Sequence, residues 1–462
     1  MKKIAFGLAL MGLLALGGSA IAEIGTIDDV PAATLLVPYF EVDLDDPNGI
    51  TTLFSVNNAS RSAVLAHVTF WTDKSIPTLD FDIYLTGYDV QTINVRDIFN
   101  GILPRTAERS LDTGDAASPS PPAGATQAVA PIDTDFPGTT GPCFNPYAAG
   151  PTATLTSTFL NNHFRPAHTG GPSTAVFGGF CSAADYGDNI ARGYITIDVV
   201  DECNLSFPSD ALYATNFLEF NNVLWGDYFY VNPAENFAQG ETLVHVEACE
   251  PGNGYLGFVG NGAGNCPLDP LVDYTFYGRY APVAGNDNRE PLATSFATRY
   301  AIGGAFDGGT DFVVWRDSKT IPAGANGPYN CNTGEVAWFP LGQTDVVAFD
   351  EQENATDLCF RGDNISPALG GDDTCFPLEA QRIFAEGGNE ISDDLQIPYT
   401  FGWLYLNLNH TTGAGDPYPG VAQAWVTTNM DAQGRFSVGF DAIQLDNALY
   451  TVPNGVTIGG TF

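Results

Sequence analysis

The chain has 462 residues with 17 basic and 54 acidic side chains, which gives a formal net charge of −37 at neutral pH. Such a charge repels the phosphates of nucleic acids and anionic lipid headgroups, so we expect no nucleic-acid partner. Hydrophobic residues make up 44% of the chain and aromatic residues 12%, which excludes wholesale disorder. The length exceeds that of one ordinary domain, and we expect two or more.

Residues 1–22 have the pattern of an export signal. Two lysines precede the apolar stretch 4–16, and residues 20–22 are the small residues that a signal peptidase requires. The stretch is too short for a retained membrane-spanning helix. We therefore expect an exported bacterial protein without a transmembrane segment, in the periplasm, at the cell surface or outside the cell. Loss of the two lysines leaves 15 basic against 54 acidic residues, a net charge near −39.

Residues 51–98 contain the clearest series of strands. The runs TTLFSVN, AVLAHVTFW, DFDIYL and DVQTINV are β-branched and aromatic, and Asn, Gly, Pro and Asp separate them. Runs at roughly 8–12-residue spacing are typical of an antiparallel sandwich. The predicted fold class is all-β, an immunoglobulin-like antiparallel β-sandwich. Alternation along these runs predicts that Val56, Val68 and Ile93 are core residues.

Further strand patterns lie on both sides of a long insertion. Residues 33–42 form an opening strand, in which Pro38 favours an edge position. Eleven prolines between residues 104 and 172 indicate an insertion over about 104–190. Four strand-like stretches follow it, at 193–200, 217–231, 242–248 and 273–280.

Past residue 290 the order of the patterns starts again. LATSFATRYAI stands where ATLLVPYFEV stood, GGTDFVVWRDS where GITTLFSVNNAS stood, and GWLYLNLN where GYITIDVV stood. We hypothesise an internal duplication. The alternative is that all sandwich strands look alike. The predicted organisation is a first sandwich domain over 23–290, which includes the insertion, and a second over 291–462.

Eight cysteines predict four disulfides in an exported chain, because their number is even and none forms a C-x-x-C pair. The spacing does not determine which cysteines pair with one another. They are Cys143, Cys181, Cys203, Cys249, Cys266, Cys331, Cys359 and Cys375.

The segments VPYFEVD, TTLFSVNN, NNVLWGDY, DNREP and VWRDS are distinctive in combination. Together they resemble a family of exported bacterial β-rich proteins that has no assigned activity. The resemblance covers most of the mature chain. It implies an exported β protein and supplies no catalytic residue.

Two acidic loops are candidates for calcium, since hard cations prefer oxygen ligands. In DLDDPNG the calcium-loop spacing fails, because Pro47 occupies the third ligand position. The favoured interpretation is therefore an ordinary turn there and a solvated loop at 350–357. We expect no other cofactor. The candidate ligands are Asp43, Asp45, Asp46, Asp350, Glu351, Glu353 and Asp357.

No catalytic motif is present in the sequence. The five histidines lack the H-E-x-x-H arrangement, and no G-x-S-x-G occurs. A structural or surface role is favoured for each histidine. We therefore expect a non-enzymatic surface or matrix protein that binds an extracellular polymer or a cell-surface partner. The alternative is a carbohydrate-active hydrolase or carbohydrate-binding protein, recognisable by tryptophans that line a groove around two facing carboxylates.

Overall fold

The computed structural model describes residues 30–104, 148–149, 154–171, 182–201, 204, 206–210, 212–248, 275–280, 287, 289–318, 339–358, 375–386, 395–410 and 420–445. Antiparallel strands dominate these residues, as the fold class predicts. Helices are short: Val95–Phe99, Tyr213–Asn216, and a helical stretch of Ser157–Phe159, Leu160–Phe164 and Arg165–His168.

The first half of the chain forms two large sheets. Sheet I has the order β12-β1-β8-β3-β4, and sheet II has the order β11-β10-β2-β5, with β9 also paired to β2. A two-stranded sheet, β6-β7, lies in the insertion. The strands are β1 (Thr34–Asp43), β2 (Thr51–Asn58), β3 (Val64–Trp71), β4 (Pro77–Leu85), β5 (Val90–Asn94), β6 (Ala148–Ala149), β7 (Thr154–Leu155), β8 (Ile190–Val200), β9 (Leu224–Trp225), β10 (Asp227–Asn232), β11 (Phe237–Thr242) and β12 (Val244–Val246).

The second half forms two further sheets. Sheet III has the order β16-β15-β18-β13-β21, and sheet IV has the order β17-β14-β19-β20. The strands are β13 (Ser295–Ala301), β14 (Gly309–Ser318), β15 (Asp345–Asp350), β16 (Ala355–Asp357), β17 (Ala380–Phe384), β18 (Phe401–Asn407), β19 (Val421–Ala432), β20 (Phe436–Asp441) and β21 (Ile443–Gln444).

The two halves repeat one topology strand for strand. When β1–β5, β8 and β10–β12 are matched in chain order with β13–β21, sheet I has the strand order of sheet III and sheet II that of sheet IV. The pairs proposed from the sequence, β1 with β13, β2 with β14 and β8 with β18, occupy equivalent places. The insertion falls between β5 and β8, where the second half has a short connection between β17 and β18.

Each half has its own hydrophobic core. Val56, Val68 and Ile93 are buried in the first core, which confirms the prediction. In sheet IV, Phe312 and Val314 face the second core, whereas Val313, Trp315 and Trp425 pack against the first. Sheet IV is therefore covered on both faces, which explains why every residue of β14 is buried.

Three of the predictions along the chain differ from the structure. Of the strand predicted at 217–231, residues 217–223 are not in a strand, and the rest is divided into β9 and β10. Pro38 lies in β1, between β12 and β8, and not in an edge strand. The β12 pairing ends at Leu36, and the β8 register shifts between Val37 and Phe40, so the ladder is already interrupted at the proline. Residues 275–280 form turns instead of the predicted strand, because their side chains fill the space between the halves.

Candidate functional site

A cleft of about 660 Å³ opens where sheets I, II and IV meet. Cavities of this size are typical of small-molecule sites. Strands β1 and β8, the β10–β11 turn, and strands β14, β17 and β19 all contribute to its wall. Its charged and aromatic lining, with one alanine, includes Tyr39, Glu41, Tyr186, Asp188, Arg192, Ala234, Glu235, Asp311, Arg382, Phe384 and Asp431.

Charged side chains of alternating sign run along this wall. Arg192 donates two hydrogen bonds of 2.7 Å to the Asp188 carboxylate, and its Nε lies 3.6 Å from Glu41 Oε1. Arg382 donates to Glu41 Oε2 at 3.1 Å and to Asp311 Oδ2 at 2.8 Å. Since Glu41 belongs to the first half and Arg382 and Asp311 to the second, this chain of ion pairs joins the halves.

The strand registers place these charges. Glu41 and Arg192 are direct partners in the β1–β8 ladder, where opposite charges stabilise the pair. Asp311 and Arg382 lie on neighbouring strands β14 and β17. After the irregularity at Pro38, Glu41 points to the face of sheet I that meets sheet IV.

Burial and pairing shift the pKa values of three groups in the cleft wall. Burial disfavours charge on Asp188, but hydrogen bonds from Arg192 outweigh it and lower the pKa of this carboxyl. Burial opposes the charge on Arg382 too, yet Asp311 and Glu41 raise its pKa well above the usual value. Burial, and next the Glu41 charge, raise the pKa of Tyr39. These groups are paired acceptors and donors and are unsuited to giving or taking a proton near neutrality.

Two aromatic rings support the arginines. The Arg192 guanidinium lies 4.4 Å from the centroid of Tyr186, and that of Arg382 lies 5.2 Å from the centroid of Phe384. Cation–π contacts of this kind fix the guanidinium planes. The wall is therefore preorganised.

The sequence did not point to these arginines, although a signal existed. The chain has few cations, and both arginines interrupt strand patterns, at ARGYITIDVV and LEAQRIFAEG. An arginine within a buried strand requires a carboxylate partner. Which carboxylate it meets depends on how the halves pack.

A second buried polar network surrounds Asp198 on β8. Thr34 Oγ1 donates to its Oδ1 at 2.5 Å, and the hydroxyls of Tyr213 and Tyr277 donate to Oδ2 at 2.9 and 2.7 Å. Arg289 Nε lies 3.7 Å from Oδ1. All five residues are buried, so the network holds the connection between the halves against sheet I and is closed to a ligand.

His67 lies deep in sheet I beside two carboxyls. Its Nδ1 is 2.7 Å from Asp82 Oδ1, and its Nε2 is 3.8 Å from Asp80 Oδ2. Burial lowers the pKa of His67, but Asp82, followed by Asp80 and Asp198, outweighs burial and raises it. Burial raises the pKa of Asp80 to about 7. With no exposed surface, His67 has a structural role.

The other histidines in the first half are also buried. His168 contacts Thr78 Oγ1 through Nε2 and the Arg192 carbonyl through Nδ1, and burial lowers its pKa to about 3. His163 contacts the Thr78 carbonyl. His245 Nε2 accepts a hydrogen bond of 3.4 Å from the backbone N–H of Gly226. His410, in the second half, is half-buried.

The acidic turn at 43–50 encloses an arginine. Arg96 donates to the carbonyl oxygens of Asp43, Asp46 (3.0 Å), Gly49 (2.9 Å) and Ile50 (2.8 Å). The carboxylates of the turn bond backbone and side-chain N–H groups, among them that of Asp45, which accepts from Asn189 at 2.7 Å. A guanidinium thus sits among the carbonyls that a cation would use.

The second acidic loop is a hairpin between β15 and β16. Asp350 accepts hydrogen bonds from the backbone of Gln352 and Asn354, and the Asn354 side chain lowers its pKa most. Burial, and next Asp345, raise the pKa of Asp357. Within the described ranges, no group of three or more His, Cys, Asp or Glu side chains is placed to hold a metal ion. Calcium binding stays a prediction.

The described tryptophans do not line the cleft. Trp71, Trp315 and Trp425 are buried in the cores, and Trp403 is half-buried on β18. Trp225 is 43% exposed on the outer face of sheet II. Trp338 lies outside the described residues.

Of the eight cysteines, Cys375 falls within the described residues, and it is not a free thiol. The other seven lie outside them. The four predicted disulfides therefore stay a prediction.

Comparisons with protein-family models, with curated proteins and with solved structures find no match to this chain. None of the helices in the described part of the chain has the length and apolar character needed to cross a membrane.

Proposed function

We propose that this protein is an exported, non-enzymatic binding component of the cell surface or surrounding matrix, whose cleft between the halves holds a small ligand. The observation that carries the proposal is the pairing of Glu41, Asp188 and Asp311 with two arginines. Groups paired in this way recognise a ligand by shape and hydrogen bonds and are poor proton donors or acceptors.

The proposal includes the organisation of the chain. The two repeated halves are two sandwich domains, 23–290 and 291–462, that fold around separate cores. Their immunoglobulin-like kinship is supported by pairing of the second strand with the fifth and of the third with the sixth. Signal-peptide removal and disulfides fit the exported location.

The hydrolase alternative has less support. It requires two facing carboxylates free to act as acid and base or nucleophile, with aromatic stacking around them. Glu235 and Asp431 both line the cleft, and burial, then Glu235, raises the pKa of Asp431. No described tryptophan accompanies them in the lining, so we do not propose hydrolysis.

The test is a ligand screen with a blocked cleft. Ala234 lines the cleft from an exposed turn, and Ala234→Trp would fill space there without disturbing either core. Ala355→Trp, on exposed β16, is the matched control. Compounds that raise the melting temperature of the wild type and of Ala355→Trp should have no effect on Ala234→Trp.

Mass spectrometry of the recovered compound completes the test. We expect it to be unchanged after prolonged incubation. A chemically altered compound would establish an enzyme, and equal stabilisation of Ala234→Trp would place the ligand elsewhere.

A further inference from the structure

The outer face of sheet II has a second ligand-binding pattern, which is separate from the cleft. Two segments supply it, TTLFSVNN at 51–58 and NNVLWGDY at 221–228, together with the rest of β10. Trp225 and Phe229 each expose 43% of their surface there. Large rings exposed to this extent on one face of a sheet are candidates for contact with a partner.

The strand register puts both rings on one face. Trp225 is the direct partner of Asn57, and Phe229 is the partner of Leu53. Partners in an antiparallel pair point to the same side, and residues four apart on β2 do so as well. At ~3.3 Å per residue the two rings are separated by about 13 Å along the strand. One small molecule of a single ring cannot bridge that distance.

Polar groups fill the space between the rings. Ser55 Oγ donates to Asp227 Oδ1 at 2.7 Å, and Asn57 Nδ2 donates to Ser55 Oγ at 3.1 Å. Asn57 is buried next to Trp225, and its Oδ1 accepts no hydrogen bond from any described residue. Ser55 and Asn57 are buried, so the half-buried Asp227 is the polar group of this row that the face presents between the two rings.

Phe229 lies over the backbone of the neighbouring strand β11. A Cβ atom added to Gly240, its partner on β11, would lie 2.2 Å from Phe229 Cδ1. The Phe229 side chain thus packs over the Gly240 backbone, and 43% of the surface of Phe229 stays exposed. A flat apolar ring face suits stacking on the C–H face of a sugar ring.

We propose that this face binds an uncharged polysaccharide chain in an extended conformation, stacked on Trp225 and Phe229 with its hydroxyls towards Asp227 between them. The strong negative charge of the protein disfavours acidic polymers. A protein partner would require a continuous apolar centre, whereas polar side chains interrupt this face. The proposal names a partner class for the matrix-binding function and rests on that function but not on the cleft.

Isothermal titration calorimetry of the full exported chain tests it, with cellohexaose and chitohexaose as uncharged probes and an alginate hexamer as the acidic one. We expect binding of at least one uncharged probe and none of alginate. Trp225→Ala and Phe229→Ala should each weaken binding by about tenfold, the scale of one lost aromatic contact. Phe401→Ala is the matched control, since Phe401 is 39% exposed on sheet III.

Each other result overturns the proposal: no binding of either uncharged probe, equal binding of alginate, or equal weakening by Phe401→Ala. Ala234→Trp separates the two proposed sites. If Ala234→Trp abolishes sugar binding while Trp225→Ala does not, the sugar occupies the cleft. The proposed site on the outer face of sheet II would then be wrong, and the proposed ligand binding in the cleft would stand. Because Trp225 and Phe229 are exposed, their variants should melt like the wild type.

Discussion

At the scale of single residues, Arg96 stabilises the acidic turn at 43–50. Its guanidinium bonds four carbonyl oxygens of the 43–50 turn. Arginine suits this place because its planar fork presents several donors at fixed angles. A lysine would satisfy fewer of the carbonyls.

Arg96→Met should therefore destabilise the protein by about 2–3 kcal/mol, because four carbonyls, three of them in partly buried hydrogen bonds, lose a charged donor. The unfolding free energy of Arg96→Lys should lie between those of the wild type and of Arg96→Met. The measurement is urea unfolding, with Arg61→Met as the control, since Arg61 is exposed and its loss should cost no more than ~0.5 kcal/mol. Equal midpoints for Arg96→Met and Arg61→Met would contradict this role.

The buried carboxyl of Asp80 predicts an unusual pH dependence. Burial raises its pKa to about 7 in the folded chain, from 3.8. The folded state then holds a proton that the unfolded state releases, so unfolding free energy falls as pH rises from about 4 to about 7. The decrease from this group is about 4 kcal/mol at most, at 1.36 kcal/mol per pKa unit.

Asp80→Asn should flatten that slope, whereas the exposed Asp97→Asn should not. The measurement is the unfolding free energy, obtained by urea titration at several pH values between 4 and 8 for the wild type and both variants. A slope that is unchanged in Asp80→Asn would show that another group binds the proton.

At the scale of the strand, alternation in β3 separates two environments. Val68 and Phe70 face the first core, while His67 points to the other face, beside Asp82 and Tyr213. Both faces of β3 are buried, so a polar residue in this strand does not mark a solvent-exposed position.

Val68→Asp should destabilise the protein by at least about 4 kcal/mol, because the core offers no partner for the new carboxylate. Val90→Asp, on β5, is the control, since Val90 is 57% exposed. Thermal melts of the two variants should differ clearly. A wild-type melt for Val68→Asp would mean that the β3 register is wrong.

Strands that follow a period of two could be predicted from the sequence, and residues placed by contacts between the halves could not. The places of β2 and β8, and the core positions Val56, Val68 and Ile93, follow from alternation, and the place of β1 follows from its apolar run. Residues 273–280 had the same local pattern, yet the described part forms turns because Phe276 and Tyr277 pack between sheets. The cleft was beyond prediction for the same reason, since Arg382 reaches Glu41 across 341 positions of sequence.

At the scale of the whole molecule, Arg382 couples the two halves. It binds Glu41 of β1 and Asp311 of β14, and its side chain is 21% exposed. Removing one partner of a largely buried ion pair leaves unpaired charges behind, at a cost of roughly 3–5 kcal/mol.

Arg382→Met should therefore split the calorimetric melt into two transitions, one for each half. Arg435→Met is the control: its pair with Asp307 is about half exposed, and exposed pairs contribute at most ~1 kcal/mol. A single transition at an unchanged temperature in Arg382→Met would show that the halves are held by other contacts.

The meeting of β11 and β20 also protects against aggregation. These strands are the outer strands of sheets II and IV, and they cover each other: Ser437 donates to the Ala238 carbonyl at 2.8 Å, and Asn236 donates to the Gly434 carbonyl at 3.0 Å. Exposed strand edges invite pairing with other chains, and many proteins block them with lysines. Beyond residue 22 this chain has two lysines, Lys74 and Lys319. Each half therefore covers one edge strand of the other. Either half alone would expose that edge strand to pairing with other chains.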